Sequence, residues 1–320
     1  MARTAQLDFH RRRALDIVHA HPEALSLIEP HRATAGWIAL LVVAQVAIAG
    51  WMGGQTWWMV LATAYTIGSI ASLSLWALLH ETTHDLVFRR RTPNCWLGII
   101  CGLPLGIPAA AAFRKCHLLH HAHLGDPVMD GDWASAWEAR LVGNGPLRKA
   151  LWLLFQPLLL SLRTGRMPGV KLADSWMVVN VALQLAFNAA IVGLFGWGAL
   201  AYLLLGNIFA LGLHPLGGRW VQEHHIVEPD QPTYSYYGPM NRFAFNCGYH
   251  CEHHDLMSVP WVHLPALRRL APEFYENLQA HRSWLELLVR FLLDRDITLA
   301  NRRFGTREAR TSALDRRQPA

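Results

Sequence analysis

Two stretches of the chain carry no charged side chain: WIALLVVAQVAIAGWM at residues 37–52 and WWMVLATAYTIGSIASLSLWALL at 57–79. At 1.5 Å per helical residue the second reaches about 34 Å, enough for a hydrocarbon core of about 30 Å. The first must borrow flanking residues. Only GGQT separates them, so the pair reads as a tight transmembrane hairpin. WMVVNVALQLAFNAAIVGLF at 176–195 and WGALAYLLLGNIFALGL at 197–213 repeat the arrangement around Gly196. A further apolar run, 95–113, is broken by Gly98, Gly102, Pro104, Gly106 and Pro108. Proline removes a helix donor and clashes with the preceding turn, so this run reads as re-entrant or interfacial. LWLLFQPLLLSL at 151–162 is too short to cross and reads as interfacial.

The pattern predicts an all-α integral membrane protein with four transmembrane helices in two hairpins under a cytoplasmic helical cap. Residues 37–300 form the membrane domain, between an N-terminal segment 1–36 and a basic tail 301–320. Composition agrees: 52% of residues are hydrophobic and 16% charged, against about 25% charged in soluble proteins. The net charge of +6 could signal nucleic acid, but the hairpin tips at 53–56 and 194–198 hold no Lys or Arg. With four spans every basic residue falls on one side, the positive-inside pattern. Arg11, Arg12, Arg13, Arg316 and Arg317 then face a cytoplasmic membrane surface, and no nucleic acid is needed. A bacterial inner membrane is the expected location, with the endoplasmic reticulum as the alternative. The N-terminus lacks the apolar stretch of a signal peptide. Five cysteines (95, 101, 116, 247 and 251) form no CxxC pair and read as reduced thiols.

Three histidine clusters punctuate this frame: His80-Glu-Thr-Thr-His84, His117-Leu-Leu-His120-His121 and His250-Cys-Glu-His253-His254. Residues i, i+3 and i+4 share a helix face, so each cluster is expected to aim its imidazoles at one point. The first follows the second span and the third follows the fourth. If 95–113 does not cross, all three meet at one membrane face. A zinc site takes about four ligands; eight histidines overfill it, and two irons with four or five nitrogens each fit. His224 is the candidate ninth ligand, with His225 and His214 as weaker substitutes. Glu81, Glu223, Glu252 and Asp255 are candidates to bond the ligands' free ring N–H groups and fix their tautomers, and Asn246 is a further candidate. Cys247 and Cys251 read as small apolar residues.

Other chemistries fit less well. His80-Glu81-Thr-Thr-His84 is also an HExxH zinc metalloprotease motif, with Asp130-Gly131 downstream, but that reading leaves both HxxHH clusters idle. His214-Pro-Leu-Gly-Gly is similar to a haem-binding HPGG, yet it caps a span rather than sitting in a soluble module. Metal transport would want histidines or acids within the spans, which hold none.

Three histidine boxes at the bases of two hairpins resemble the membrane fatty acid desaturase and hydroxylase superfamily. GLHPLGGRWVQEHH, PTYSYYGPMNRFAFNCGYHCEHHDL and the opening HRRRALDIVHAHPEALSL are similar to the sphingolipid Δ4-desaturase (dihydroceramide desaturase) family, from about residue 7 to 300. Arg219 stands where that family usually has histidine, Cys251 where it has Asn, and Leu256-Met257 where Phe-Pro is common. The resemblance implies a di-iron centre that uses O2 to introduce a double bond into dihydroceramide or another acyl lipid. It implies two electrons from an external donor such as cytochrome b5 or a ferredoxin with its reductase, and an apolar tunnel for the lipid tail. Tyr234, Tyr236 and Tyr237 are candidates to line its mouth. A fatty acyl desaturase or a lipid hydroxylase of the same superfamily shares the signature.

Overall fold

The computed structural model describes residues 5–126, 128–132, 134–164, 174–225, 228 and 231–302. Of the expected basic tail, Arg316 and Arg317 lie outside the described residues. Helix α1 (Ala5–Ala20) buries Gln6, His10 and Ile17 on one side. Next come α2 (Thr34–Met52), α3 (Trp57–Thr63) and α4 (Ser69–Thr83). A π-helical turn, Ala64–Gly68, makes α3 and α4 one rod of 27 residues. Helices α5 (Arg91–Gly102) and α6 (Ala109–Ala122) follow, then α7 (Ala136–Val142) and α8 (Pro146–Thr164). The second hairpin is α9 (Ser175–Phe195) and α10 (Trp197–Leu211). The remaining helices are α11 (Gly218–His224), α12 (His250–Asp255), α13 (Leu264–Leu270) and α14 (Trp284–Leu293). A two-residue parallel pairing joins β1 (Ser235–Tyr236) to β2 (Ala280–His281).

Among the described residues, three helices are long and apolar enough to cross a membrane: Thr34–Met52, Trp57–Thr83 and Ser175–Phe195. Helix α10 is shorter and bends by 45° into Pro215–His224; counting each bent pair as one span gives up to five. Helix α10 packs closely on the first hairpin. A Cβ at Gly206 would lie 3.0 Å from the carbonyl carbon of Gly68, so the crossing needs glycine on both rods.

The broken run at 95–113 forms no straight span. The chain turns by 116° between α5 and α6, through Pro104, a left-handed Gly106 (φ 77°) and Pro108. Such a break exposes backbone groups that a bilayer cannot satisfy, so protein must do it. Four amide side chains from the second hairpin supply the partners. Gln184 donates to Leu103 O at 2.9 Å, Asn207 to Leu105 O at 3.1 Å and Asn188 to Gly106 O at 2.9 Å, while Asn180 accepts from Ala111 N at 3.0 Å. Asn180, Gln184 and Asn188 recur every fourth residue, one stripe down α9. The break therefore sets the direction of α6, which brings its histidines to the end of α4.

Helices α1 and α11–α14 cover that same end. One core gathers Trp152, Trp220, Tyr236, Trp284 and Phe291; another clamps Ile17 of α1 against Leu267 and Tyr275.

Candidate metal centre

Nine histidines converge where α4, α6, α11 and α12 meet. The ring nitrogens of His80, His84, His117, His121 and His253 lie within 4.8 Å of one another. Their Nε2 atoms form a chain: His80 to His253 at 3.0 Å, His253 to His121 at 3.0 Å, His121 to His117 at 3.0 Å and His117 to His84 at 2.9 Å. A ring nitrogen offers either one N–H or one lone pair. Protons can therefore satisfy at most two of these four contacts. A cation satisfies all five lone pairs, and two imidazoles about 2.1 Å from one ion at right angles are themselves ~3 Å apart. The donor set fits a metal ion.

A second cage stands beside the first. His120, His224 and His254 are buried, with ring nitrogens again within 4.8 Å, and His250 Nε2 lies 3.0 Å from His224 Nε2. His254 Nε2 is buried without a hydrogen-bond partner among the described residues, a lone pair that an ion would use. The rings of His121 and His254, 4.4 Å apart, join the cages. His253 and His121 in contact place the second and third clusters on one side of the bundle.

The clusters do not each aim at one point, as expected from helical spacing. His117 and His121 turn to the first cage and His120 to the second; His253 turns to the first, His250 and His254 to the second. Each HxxHH box bridges both cages. His225 and His214 belong to neither: His225 packs between Trp220 and Phe291, and His214 caps a short 3-10 turn by accepting Leu216 N at 3.2 Å.

The candidate carboxylates divide. Glu81 lies 3.7 Å from His80 Nδ1 and accepts Trp261 N at 3.1 Å, so it ties a loop rather than standing free as a protease base. Glu223 lies 3.9 Å from His250 Nδ1 and pairs with Arg219. Glu252 touches no imidazole: Ser235 and Tyr237 donate to it at 2.5 and 2.7 Å, and burial pushes its carboxyl up to about 7. Asp255 also turns away, bonding His10 Nδ1 at 2.7 Å and Arg13 Nη2 at 2.9 Å, which fastens α1 to α12. Asn246, at φ 53°, donates to Trp261 O and shapes the turn before α12. The group that sequence reasoning missed is Asp130, whose Oδ1 lies 2.8 Å from His120 Nδ1. It had a place only as a partner of the protease motif; the signal available was its position in the turn-rich GDPVMDGD just after the second box.

Burial holds His250, His253 and His254 well below the ordinary imidazole range, with neighbouring histidines adding to the shift. These rings are neutral, the form that binds metal. A cleft opens beside them, lined by His80, His117, His120, His224, His250 and His253 and by the apolar side chains of Leu73, Trp76, Ala77, Phe113, Phe245 and Trp261. The three tyrosines expected at its mouth are elsewhere. Tyr234 is buried and bonds Glu228, Tyr236 stacks on Trp284 and Tyr237 donates to Glu252.

A bundle of long apolar helices bearing two imidazole cages beside an apolar cleft has the architecture of a membrane metalloenzyme. Comparison with known proteins gives the family. A sequence model of the fatty acid desaturase family matches residues 55–286, and the chain belongs to that family of oxidoreductases. It is 36% identical over 292 residues to the sphingolipid delta(4)-desaturase DES1-like protein of Oryza sativa subsp. japonica, covering 90% of this chain and 87% of the relative. It is 38% identical to sphingolipid delta(4)-desaturase DES1 of Drosophila melanogaster, covering 89% of each. Against the sphingolipid delta(4)-desaturase/C4-monooxygenase DES2 of Rattus norvegicus it is 36% identical, covering 89% and 88%.

Proposed function

We propose that this protein introduces the Δ4 double bond into the long-chain base of dihydroceramide, using O2 and two externally supplied electrons. The observation that carries the reading is the pair of imidazole cages facing an apolar cleft, in a chain that Δ4-desaturases match over nine-tenths of its length. His80, His84, His117, His121 and His253 would hold one iron, and His120, His224, His250 and His254 the other. Irons held there would supply the O2 activation and hydrogen abstraction at an unactivated methylene that no side chain can perform. Nine nitrogens exceed one zinc site, which disfavours the protease alternative.

The chain's own residues prepare that chemistry. Asp130 accepts the Nδ1–H of His120, holding the proton there and leaving the Nε2 lone pair for the second cage. Phe113, Trp76 and Phe245 wall the cleft with apolar surface that orients a lipid tail and keeps water from the reacting carbons. Spans 37–52, 57–79, 176–195 and 197–213, with 95–113 re-entrant, would put both cages and both termini in the cytoplasm, within reach of cytochrome b5 or a ferredoxin. A second reading, C4 hydroxylation, is favoured by the rat relative, a delta(4)-desaturase/C4-monooxygenase.

Expression in a host supplied with dihydroceramide, followed by lipid mass spectrometry, tests the assignment. Loss of two hydrogens from the long-chain base supports desaturation and gain of one oxygen supports hydroxylation. A change confined to fatty acids, or no change, overturns both.

A further inference from the structure

Charged side chains line part of the cleft. Arg219 and Glu223 of α11 and Asp132 from the segment before α7 all line it. Glu223 pairs with Arg219 and lies 3.9 Å from His250 Nδ1, so the pair sits against the second cage with only one imidazole between. A guanidinium has five N–H donors in a planar fork. Among the described residues, Glu223 is the hydrogen-bond partner that Arg219 has, through Nη1 alone. The Arg219 side chain keeps 23% of its surface exposed, so Nε and Nη2 are left to meet whatever enters the cleft. An i,i+4 pair on an ordinary helix faces bulk solvent and is worth little. This one shares a cleft with Trp76, Phe113 and Phe245, where water is scarce and an unmet donor is costly.

Building on the proposed lipid desaturation, we infer that Arg219 reads the polar end of the substrate, an N-acylated amino diol without phosphate. Its fork donates to the 3-hydroxyl oxygen or the amide carbonyl, and Glu223 holds the fork in place. Three carboxylates, Glu81, Asp132 and Glu223, line the cleft with the guanidinium of Arg219, a lining that suits a neutral hydroxy-amide better than a phosphorylated head. A head anchored beside His250 can present to the imidazole wall only carbons a few bonds away. In this chain Arg219, at a position where the family usually has histidine, then favours oxidation next to the head over oxidation in mid-chain.

The test is equilibrium binding to the purified iron-loaded protein in detergent, without O2 or reductant. The probes are a short-chain dihydroceramide, its 3-deoxy analogue and its 1-phosphate. The wild type is expected to bind the dihydroceramide about 10- to 100-fold more tightly than the 3-deoxy analogue, the worth of one hydrogen bond to a charged group. Arg219→Gln should bring that ratio close to one and, by removing the positive charge, strengthen exclusion of the phosphate. Arg219→Lys keeps a charge opposite Glu223 but loses the fork, and should lower the ratio in the same direction. An unchanged ratio in both variants overturns the inference. So does loss of iron from both, which would make Arg219 part of the cage scaffold. Failure of the wild type to convert dihydroceramide is a separate result, which removes the functional reading itself; conversion with an unchanged ratio removes only the role of Arg219.

Discussion

The two cages use the same ligand and are supported differently. The five-histidine cage takes four imidazoles from α4 and α6, whose directions are set by the membrane bundle and the 116° turn. His80, His84 and His117 are only half-buried, and Glu81 approaches no closer than 3.7 Å. The second cage is buried and rests on short helices, α11 and α12, outside the first hairpin. It depends on side chains: Asp130 on His120, Glu223 near His250, and the ring of His10 5.2 Å from His254. The first cage rests mainly on long helices and the second mainly on hydrogen bonds, with His120 on α6 and His253 on α12 crossing between the two supports. Damage far from the ligands should therefore fall on the second cage first.

Removal of a ligand from either side should erase the contrast. His253→Ala and His254→Ala, one from each cage, are each expected to abolish product and lower bound iron; activity retained by either variant would take that residue out of the ligand set. The next largest effect is expected at the N-terminal clamp. Arg13→Met leaves Asp255 buried with only His10, and breaking a buried pair typically costs about 3–5 kcal/mol. A lowered thermal midpoint, with second-cage metal lost before first-cage metal under chelator, would confirm the asymmetry; equal loss from both would contradict it.

Smaller changes sharpen the same contrast. Asp130→Asn should weaken iron binding about 10- to 100-fold in a chelator titration, whereas Glu81→Gln, at 3.7 Å from its histidine, should leave it within about threefold. Lowering the pH tests the neutral imidazoles. Burial depresses His250, His253 and His254 in the folded chain, so only the unfolded chain takes up their protons as the pH falls below 6.5. Metal-free protein should lose stability in that direction. Glu252, raised from 4.5 to about 7, acts oppositely, as one carboxyl against three imidazoles. A thermal midpoint that rises on acidification would show that the rings are charged at neutral pH. The smallest effect is expected in the bundle. Gln184→Leu leaves Leu103 O with only the Gly106 N–H as donor, a loss of about 1 kcal/mol or less by the scale of polar contacts in membranes.

Much of the site was legible because its chemistry is local: three boxes with helical spacing name eight histidines before any fold is known. Their division between two cages was not. Whether i+3 or i+4 faces a given neighbour on α12, a helix of six residues, depends on where α6 and α11 lie. Asp130 was hidden because a turn, not a periodic element, carries it. Glu252 and Asp255 were misplaced for the opposite reason: they adjoin ligands in sequence, but the helix points them to Tyr237 and Arg13. The apolar runs marked the long helices. The amide stripe Asn180, Gln184, Asn188 was present in the same letters, but it acquires meaning only with the broken helix beside it.

The central claim is that nine imidazoles enclose two metal ions. Metal analysis of the purified full-length protein tests it most directly. About two irons per chain, falling in both His253→Ala and His254→Ala, is the predicted result; a single zinc per chain, or iron content indifferent to both substitutions, would contradict it.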